Sequence, residues 1–217
     1  SEAVFGLASV LPLSFWLGLA STVLSFAVWS QATGSEKLKE RLFLFQALLI
    51  ITITTWTPLL IEPNARTGSA WFHFGEARYI IDGGHIDSFK IFYHQWPLWF
   101  ILTAILSLTS NMPASLLLKS GVIAFSIFYF LVLRAISSQL FSATIQRYVF
   151  ILMFTLANWI GQTYWCPQYV TYLIYMVLWM LILRFPTEGW NRRIATLFML
   201  LFAVTTMTHP LTPIPFL

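Results

Sequence analysis

Long apolar runs alternate with short polar interruptions along the whole chain. Each run is bounded by charged residues, Pro, Gly or Asn, and the runs cover 6–29, 42–61, 97–110, 113–133, 148–160, 168–185 and 194–208. The longer runs approach or exceed the roughly 20 apolar residues that a helix needs to cross about 30 Å of hydrocarbon. The pattern therefore predicts an all-α fold, a polytopic transmembrane helical bundle with about seven membrane segments.

Two of the runs, 97–110 and 148–160, are short for a full crossing. Such a run can be tilted, re-entrant or extended by its polar flanks. Basic residues precede the second run and the last run: Lys37, Lys39 and Arg41, and Arg184, Arg192 and Arg193. The positive-inside rule favours the cytoplasm for both loops, yet crossings by every run would put them on opposite faces. Either one short run is re-entrant or one loop breaks the charge bias.

The longest polar interruption covers residues 62–96 and contains three of the four histidines. Apolar residues recur at helical spacing over 71–81, with charged residues between them, which predicts a helix lying at the membrane interface. Gly83 and Gly84 predict a left-handed cap at the end of that helix. The aromatic residues that mark the headgroup level are Tyr93, Trp96 and Trp99. We expect one or two interfacial helices in this loop, packed over the ends of the membrane helices.

The composition supports a membrane protein. Hydrophobic residues make up 58% of the chain and charged residues 9%, and the mean hydropathy is +0.76. A soluble domain has about a quarter charged residues and could not bury so much apolar surface. The net charge is +4, but the basic residues form no stripe, so we expect the lipid bilayer and no nucleic acid as a partner. Cys166 is the only cysteine, which excludes an intrachain disulfide.

The domain organisation is predicted to be a single transmembrane domain over residues 1–217. The chain starts at Ser1 without an initiator Met and ends at Leu217 directly after an apolar run. We therefore expect a piece of a longer protein. The first run has no basic residues before it and no small-residue cleavage site after it, which predicts a spanning helix instead of a signal peptide.

Acidic residues beside hydrocarbon are expensive to keep and indicate function. The loop contains four of them: Glu62, Glu76, Asp82 and Asp87. A carboxylate there can act as a general base, or hold a divalent cation such as Mg²⁺ or Mn²⁺ that neutralises a phosphate leaving group. The alternative is a solvated polar loop in which these acids pair with Arg66, Arg78 and Lys90.

The histidines of the loop, His73, His85 and His94, do not have the spacing of a zinc site on one helix face. Imidazoles can donate hydrogen bonds to phosphate or sugar hydroxyls. The alternative is that they are amphipathic interfacial residues without a special role.

Two later segments, 158–168 and 208–213, interrupt apolar sequence with amides, Gly, Pro and His209. Broken backbone at membrane depth is tolerated where it faces protein or a wet cavity. We therefore predict that both segments form cavity walls, with an ordinary interfacial turn as the alternative.

The loop motifs resemble the first external loop of GT-C type membrane glycosyltransferases. The motifs are GEARY at 75–79, Gly84, and YHQWPL at 93–98. The later segments 162–168 and 208–213 are similar to polar breaks of prokaryotic members of this group. The resemblance implies a module over 42–217, with 6–29 as an extra N-terminal helix, in the plasma membrane of a prokaryote.

The resemblance implies transfer of a sugar from a polyprenyl-phosphate donor by an inverting displacement, with a carboxylate base and often a divalent cation. The family's catalytic Asp is missing, because Gly75, or Gly68 and Ser69, occupy the matching positions. Either another acid supplies the carboxylate or the chain has lost catalysis. The candidate catalytic acids are Glu76, Asp87 and Asp82. The candidate substrate-binding residues are His73, Arg78, His94, Gln162 and His209.

Two other classes of function stay open. The incomplete catalytic set favours a non-catalytic membrane subunit of a larger complex, with other membrane subunits as partners. The broken segment 158–168 favours a transporter, although Lys119 is the one charge deep inside a run.

Polar groups next to hydrocarbon are stable when they satisfy one another or meet water. We therefore expect Glu76, His94, Gln162 and His209 to approach one pocket at a single membrane face. This arrangement requires one re-entrant run, which we place at 148–160.

Overall fold

The computed structural model describes residues 11–31, 34–65, 67–89, 91–157, 164–189 and 191–209. Over these residues the chain is all-helical, with nine α-helices, a π-helical segment (Thr52–Trp56) and a 3-10 segment (Phe92–Gln95). The α-helices are α1 (Leu13–Gln31), α2 (Glu36–Ile51), α3 (Thr57–Ile61), α4 (Gly68–Gly83), α5 (Leu98–Ser110), α6 (Ala114–Leu140), α7 (Thr144–Ala157), α8 (Pro167–Glu188) and α9 (Arg192–Thr208). The predicted all-α class is confirmed for this part of the chain.

Three helices are long and apolar enough to cross a membrane. They are α1, α6 and the first part of α8, Pro167–Phe185. The apolar helices α5 and α7 are shorter, with 13 and 14 residues. By length and composition, three of the predicted membrane segments thus qualify as spans within the described residues.

The second apolar run forms one continuous helical rod made of α2, the π-helical segment and α3. The Thr52 hydroxyl donates to the Leu48 carbonyl at 2.8 Å, and Thr54 bonds a carbonyl four residues earlier in the same way. Such back-bonding often bends a helix. Pro58 also lacks the N–H that a regular helix would use here. Together these residues account for a wider π turn at this point.

The helix predicted over 71–81 is α4. Gly84 follows it with φ +66°, and its N–H donates to the Ile80 carbonyl at 2.9 Å. Glycine adopts this left-handed conformation without steric cost, so the predicted cap is confirmed. The buried residues of α4 recur at helical spacing: Ala70, His73 and Ala77.

Contacts between helices define two ends of the bundle. At one end, called the basic end, Arg134 of α6 pairs with Glu40 of α2 at 3.1 Å. At the other, called the site end, the Lys119 ammonium of α6 donates to the Glu62 carbonyl that follows α3. The α2 rod and α6 are therefore antiparallel. Tyr148 near the start of α7 donates to the Glu40 carbonyl at 3.0 Å, so α7 starts at the basic end.

The helix α8 runs parallel to α6. The ring centroids of Tyr169 and Phe125 are 5.5 Å apart, and those of Tyr172 and Tyr129 are 6.1 Å apart. A short connection leads from α8 to α9, which packs along α8 and also against α5. α9 therefore returns to the site end.

The helix α5 begins and ends at the site end. Phe100 in its first turn contacts His73 and His94, with ring centroids 6.0 and 6.1 Å apart. Shortly after its last residue, the Ser115 hydroxyl donates to the Pro63 carbonyl at 3.1 Å, also at this end. This apolar run therefore does not carry the chain to the basic end.

The prediction of a re-entrant run at 148–160 is wrong. α7 starts at the basic end, and the chain resumes at the site end with Tyr164 stacked on His73, their ring centroids 6.5 Å apart. The run that returns to its own end is α5, because it packs along α4 instead of extending through the bundle. As a result, the basic loops before α2 and before α9 lie at the same end.

Trp165 joins three parts of the structure. Its ring stacks with Phe125 of α6 at a centroid distance of 5.4 Å, and its Nε1 donates to Thr103 Oγ1 of α5 at 3.1 Å. Gly121 of α6 permits the contact, since a Cβ added there would lie 1.9 Å from the Trp165 ring. The packing at Gly121 thus fixes α5, α6 and the start of α8 relative to one another.

We predict that Gly121→Ala lowers the free energy of unfolding by about 1–3 kcal/mol, because the buried Trp165 ring must move. The measurement is thermal unfolding of the purified chain. Gly18→Ala is the matched control, since a Cβ there meets nothing within 4 Å and the change gains roughly 0.5–1 kcal/mol of helix propensity. Equal stability of the two variants would contradict the packing argument.

Candidate functional site

The half-buried Glu76 and the buried His94 lie side by side at the site end. His94 Nε2 lies 3.6 Å from Glu76 Oε2, and the two side chains are 0% and 14% exposed. The Asp87 backbone N–H donates to His94 Nδ1 at 3.1 Å. In the neutral ring, Nδ1 is therefore the acceptor and Nε2 carries the proton. That proton points toward Glu76, whose carboxylate and backbone carbonyl both lie near Nε2.

Local sequence explains how these two groups meet. Glu76 lies one helical turn after His73 on α4, so both lie on the side of the helix that faces the bundle. The 3-10 segment Phe92–Gln95 turns the chain just before α5 and buries His94. Glu76 and His94 thus lie next to each other, as expected, and the pocket that they were expected to share with Gln162 and His209 stays a prediction.

His73 lies in an aromatic enclosure. Its ring contacts Tyr93 edge-on at 5.3 Å, stacks with Tyr164 at 6.5 Å and packs against Phe100. The ring is buried, and within the described residues Nδ1 has no hydrogen-bond partner. Burial, and to a lesser extent the positive charge of a protonated His209, lower the pKa of His73 to about 4. His73 is therefore a neutral, buried imidazole with an unsatisfied nitrogen.

His209 and Tyr164 come from distant parts of the sequence to the same place. The electrostatic effect of His209 on His73 shows that the two rings are close, and burial also lowers the pKa of His209. Burial raises the pKa of the Tyr164 phenol. The predicted gathering of the loop, the 158–168 segment and the end of α9 at one end is confirmed for these residues.

Two of the remaining candidates, Arg78 and Asp82, are not brought into this cluster. Arg78 and Asp82 form an exposed i,i+4 ion pair at 2.9 Å, a type of pair that contributes little to stability. Asp87 contacts His94 through its backbone N–H. Gln162 lies outside the described residues.

A metal site is not formed by the described residues. No three His, Cys, Asp or Glu side chains among them lie close enough together to hold a metal ion. The divalent cation that the resemblance implies therefore stays a prediction. Cys166 beside Tyr164 is buried, and burial raises the pKa of its thiol to about 11, so it is not a nucleophile at neutral pH.

The residues that enclose His73 are not among the site residues predicted from the sequence. They are Tyr93, Phe100 and Tyr164. A signal was present, since Tyr164 lies inside the polar break that was predicted to be a cavity wall. The sequence did not reveal which helix Tyr164 would face.

Comparison with known proteins assigns no function to this site. Compared with protein families, with curated proteins and with solved structures, the chain matches none of them. The resemblance to GT-C glycosyltransferases therefore stays a prediction from short motifs.

We predict that acidification destabilises the protein through His73. Its pKa is lower in the folded chain, about 4, than the ordinary 6.5, so the unfolded chain takes up the proton first. Stability is full above pH 6.5, falls as the pH drops toward 4 and then levels off. Between pH 7 and pH 5 the loss is roughly 2 kcal/mol.

The measurement is the melting temperature at pH 7 and pH 5. His73→Gln should reduce this pH-dependent difference, whatever its effect on absolute stability. His85→Gln is the matched control, because His85 is exposed on the same loop. An unchanged difference in His73→Gln would show that His73 is not the group responsible.

Proposed function

We propose that the chain is a polytopic membrane protein whose basic end faces the cytoplasm, with α5 as a segment that returns to the opposite face. Three apolar helices long enough to span support membrane insertion. The basic residues in the helices and loops of the basic end are Lys37, Lys39, Arg41, Arg134, Arg147, Arg184, Arg192 and Arg193. This bias favours the cytoplasm for that end. The resemblance to GT-C glycosyltransferases favours the plasma membrane of a prokaryote as the location.

Single cysteines introduced at Ser35 and Ser142 in the basic end should react with a membrane-impermeant thiol reagent only from the cytoplasmic side. Cysteines at Ser88 and Ser110 in the site end should react only from the other side. All four positions are exposed, and the buried native Cys166 serves as the background control. Labelling of Ser35 and Ser142 from opposite sides would mean that α5 crosses the membrane.

The function that the site supports best is GT-C-like glycosyl transfer from a polyprenyl-phosphate sugar. The observation that carries this proposal is that half-buried Glu76 and buried His94 lie next to buried His73, whose Nδ1 has no hydrogen-bond partner among the described residues. His94 Nε2 lies 3.6 Å from Oε2 of the Glu76 carboxylate, which leaves Oε1 to accept a proton.

In this proposal, Glu76 removes the proton of an acceptor hydroxyl. The acceptor oxygen forms a bond to the anomeric carbon of the sugar while the bond from that carbon to the phosphate oxygen breaks. The electron pair of the broken bond leaves with polyprenyl phosphate, and the proton stays on Glu76 until it is lost to water. His94 is a positioning residue whose Nε2 bonds the Glu76 backbone carbonyl and lies beside Oε2, and neutral His73 offers a hydrogen bond to the donor.

We predict that Glu76→Gln lowers the release of polyprenyl phosphate by at least about 100-fold, because the base is lost. The assay incubates the purified full chain with labelled polyprenyl-phosphate sugars and measures both donor binding and phosphate release. Asp82→Asn is the matched control, since Asp82 is an exposed acid on the same helix, paired with Arg78. It should keep activity within a few-fold of the unmodified chain.

Loss of activity to the same extent in Glu76→Gln and Asp82→Asn would refute the assignment of the base. Absence of both donor binding and release, under conditions where an established glycosyltransferase of this type works, would refute the proposed function.

A second candidate is the non-catalytic membrane subunit. The helix α1 favours it, because none of its 19 residues is buried in this chain, and an apolar helix of this kind can pack against a partner helix as well as lipid. An inactive chain that purifies with stoichiometric membrane subunits would support this candidate over the enzyme.

A further inference from the structure

A cavity of about 380 Å³ lies at the basic end, between α2, α6 and α7. It is far from the His73 cluster, which lies at the site end. Its polar lining includes Arg134, Arg147, Ser138 and Glu40, and its apolar lining includes Leu131 and Ile151. The cavity is therefore amphipathic, with charged and apolar walls that face the same space.

The charge of the lining is suited to an anion. Two guanidinium groups and one carboxylate give the cavity one net positive charge. Arg134 uses one terminal nitrogen for Glu40, and Arg147 donates Nε to the Phe141 carbonyl at 2.7 Å. A guanidinium has five N–H donors in a planar fork that matches phosphate oxygens. The pair can therefore bind a phosphate while these contacts hold the two side chains in place.

The apolar wall points to the kind of molecule that carries the phosphate. Leu131 is 47% exposed, and Phe128, one helical turn earlier on α6, is 59% exposed. These side chains form an apolar track that leads from the cavity along α6 toward the middle of the bundle. An acyl chain can lie on such a track, whereas a soluble phosphate would make no use of it.

We propose that this cavity binds an anionic phospholipid, with the phosphodiester between Arg134 and Arg147 and an acyl chain along Leu131 and Phe128. The proposal rests on the membrane placement proposed above, which puts the basic end in the cytoplasmic leaflet. It does not depend on glycosyl transfer. Basic pockets between helices on this side of a membrane are suited to anionic headgroups.

The test uses the purified full chain in a neutral detergent. Thermal unfolding is followed after addition of phosphatidylglycerol, of phosphatidylcholine or of inorganic phosphate. Phosphatidylglycerol should raise the melting temperature by roughly 4 °C or more, and phosphatidylcholine should raise it less. Retention of phosphatidylglycerol in native mass spectrometry gives a second reading that does not depend on stability.

Three variants locate the site. Arg147→Gln and Arg134→Gln should each weaken phosphatidylglycerol binding by about tenfold, because each loses a charge-assisted hydrogen bond. Arg193→Gln is the matched control, since Arg193 is exposed at the same end and does not line the cavity. Each lipid-induced shift is compared with the same variant without lipid, so a lower starting stability does not affect the reading.

Selective loss in the two cavity variants supports the proposal. Equal loss in Arg193→Gln overturns it in favour of general attraction to a basic surface. Equal stabilisation by phosphatidylcholine also overturns it. Stabilisation by inorganic phosphate to the same degree as by lipid would keep phosphate recognition but overturn the assignment of a lipid. Failure of the glycosyltransferase assay leaves all of these readings intact.

Discussion

Trp165 lies against the backbone of α6 at Gly121, and the site end depends on this contact. A ring so close to a helix leaves no room for a side chain at Gly121. The same indole bonds Thr103 and packs on Trp99, so it ties α5 to α6. Its neighbour Tyr164 is thereby held beside His73. One tight packing contact thus positions groups that are far apart in sequence.

The direction of each helix depends on where the chain turns back. The helix directions in turn decide at which end the basic residues lie. Because α5 returns to the end at which it starts, α6 begins beside Glu62 and ends beside Glu40. The later helices then alternate, and the loops rich in Lys and Arg fall at one end. Strongly hydrated basic groups are thereby kept together, while the opposite end contains most of the aromatic and histidine clusters. The two ends therefore differ in chemistry as well as in position.

Burial, more than charge, distinguishes the candidate site from its surroundings. Arg78 and Asp82 satisfy each other in solvent, where such a pair contributes little. His73 is instead buried among aromatic rings with Nδ1 unsatisfied within the described residues, and an unpaired buried nitrogen costs stability. Exceptions of this kind have explanations such as a functional role or an unseen partner. The half-buried Glu76 and the buried His94 lie next to it, and this arrangement is the basis of the function proposed above.

Local features could be read from the sequence alone. The all-α class, the helix over 71–81 and its glycine cap depend on side chains close together in the chain, where periodicity and backbone preference act directly. Glu76, His94 and His209 also stood out by residue type and position. Tertiary structure decided which apolar run returns, which nitrogen of His94 faces Glu76, and that Tyr164 covers His73. These outcomes depend on how helices far apart in sequence pack on one another. The fit of Trp165 on Gly121, for example, cannot be inferred from the residues that flank Trp165 or from those that flank Gly121.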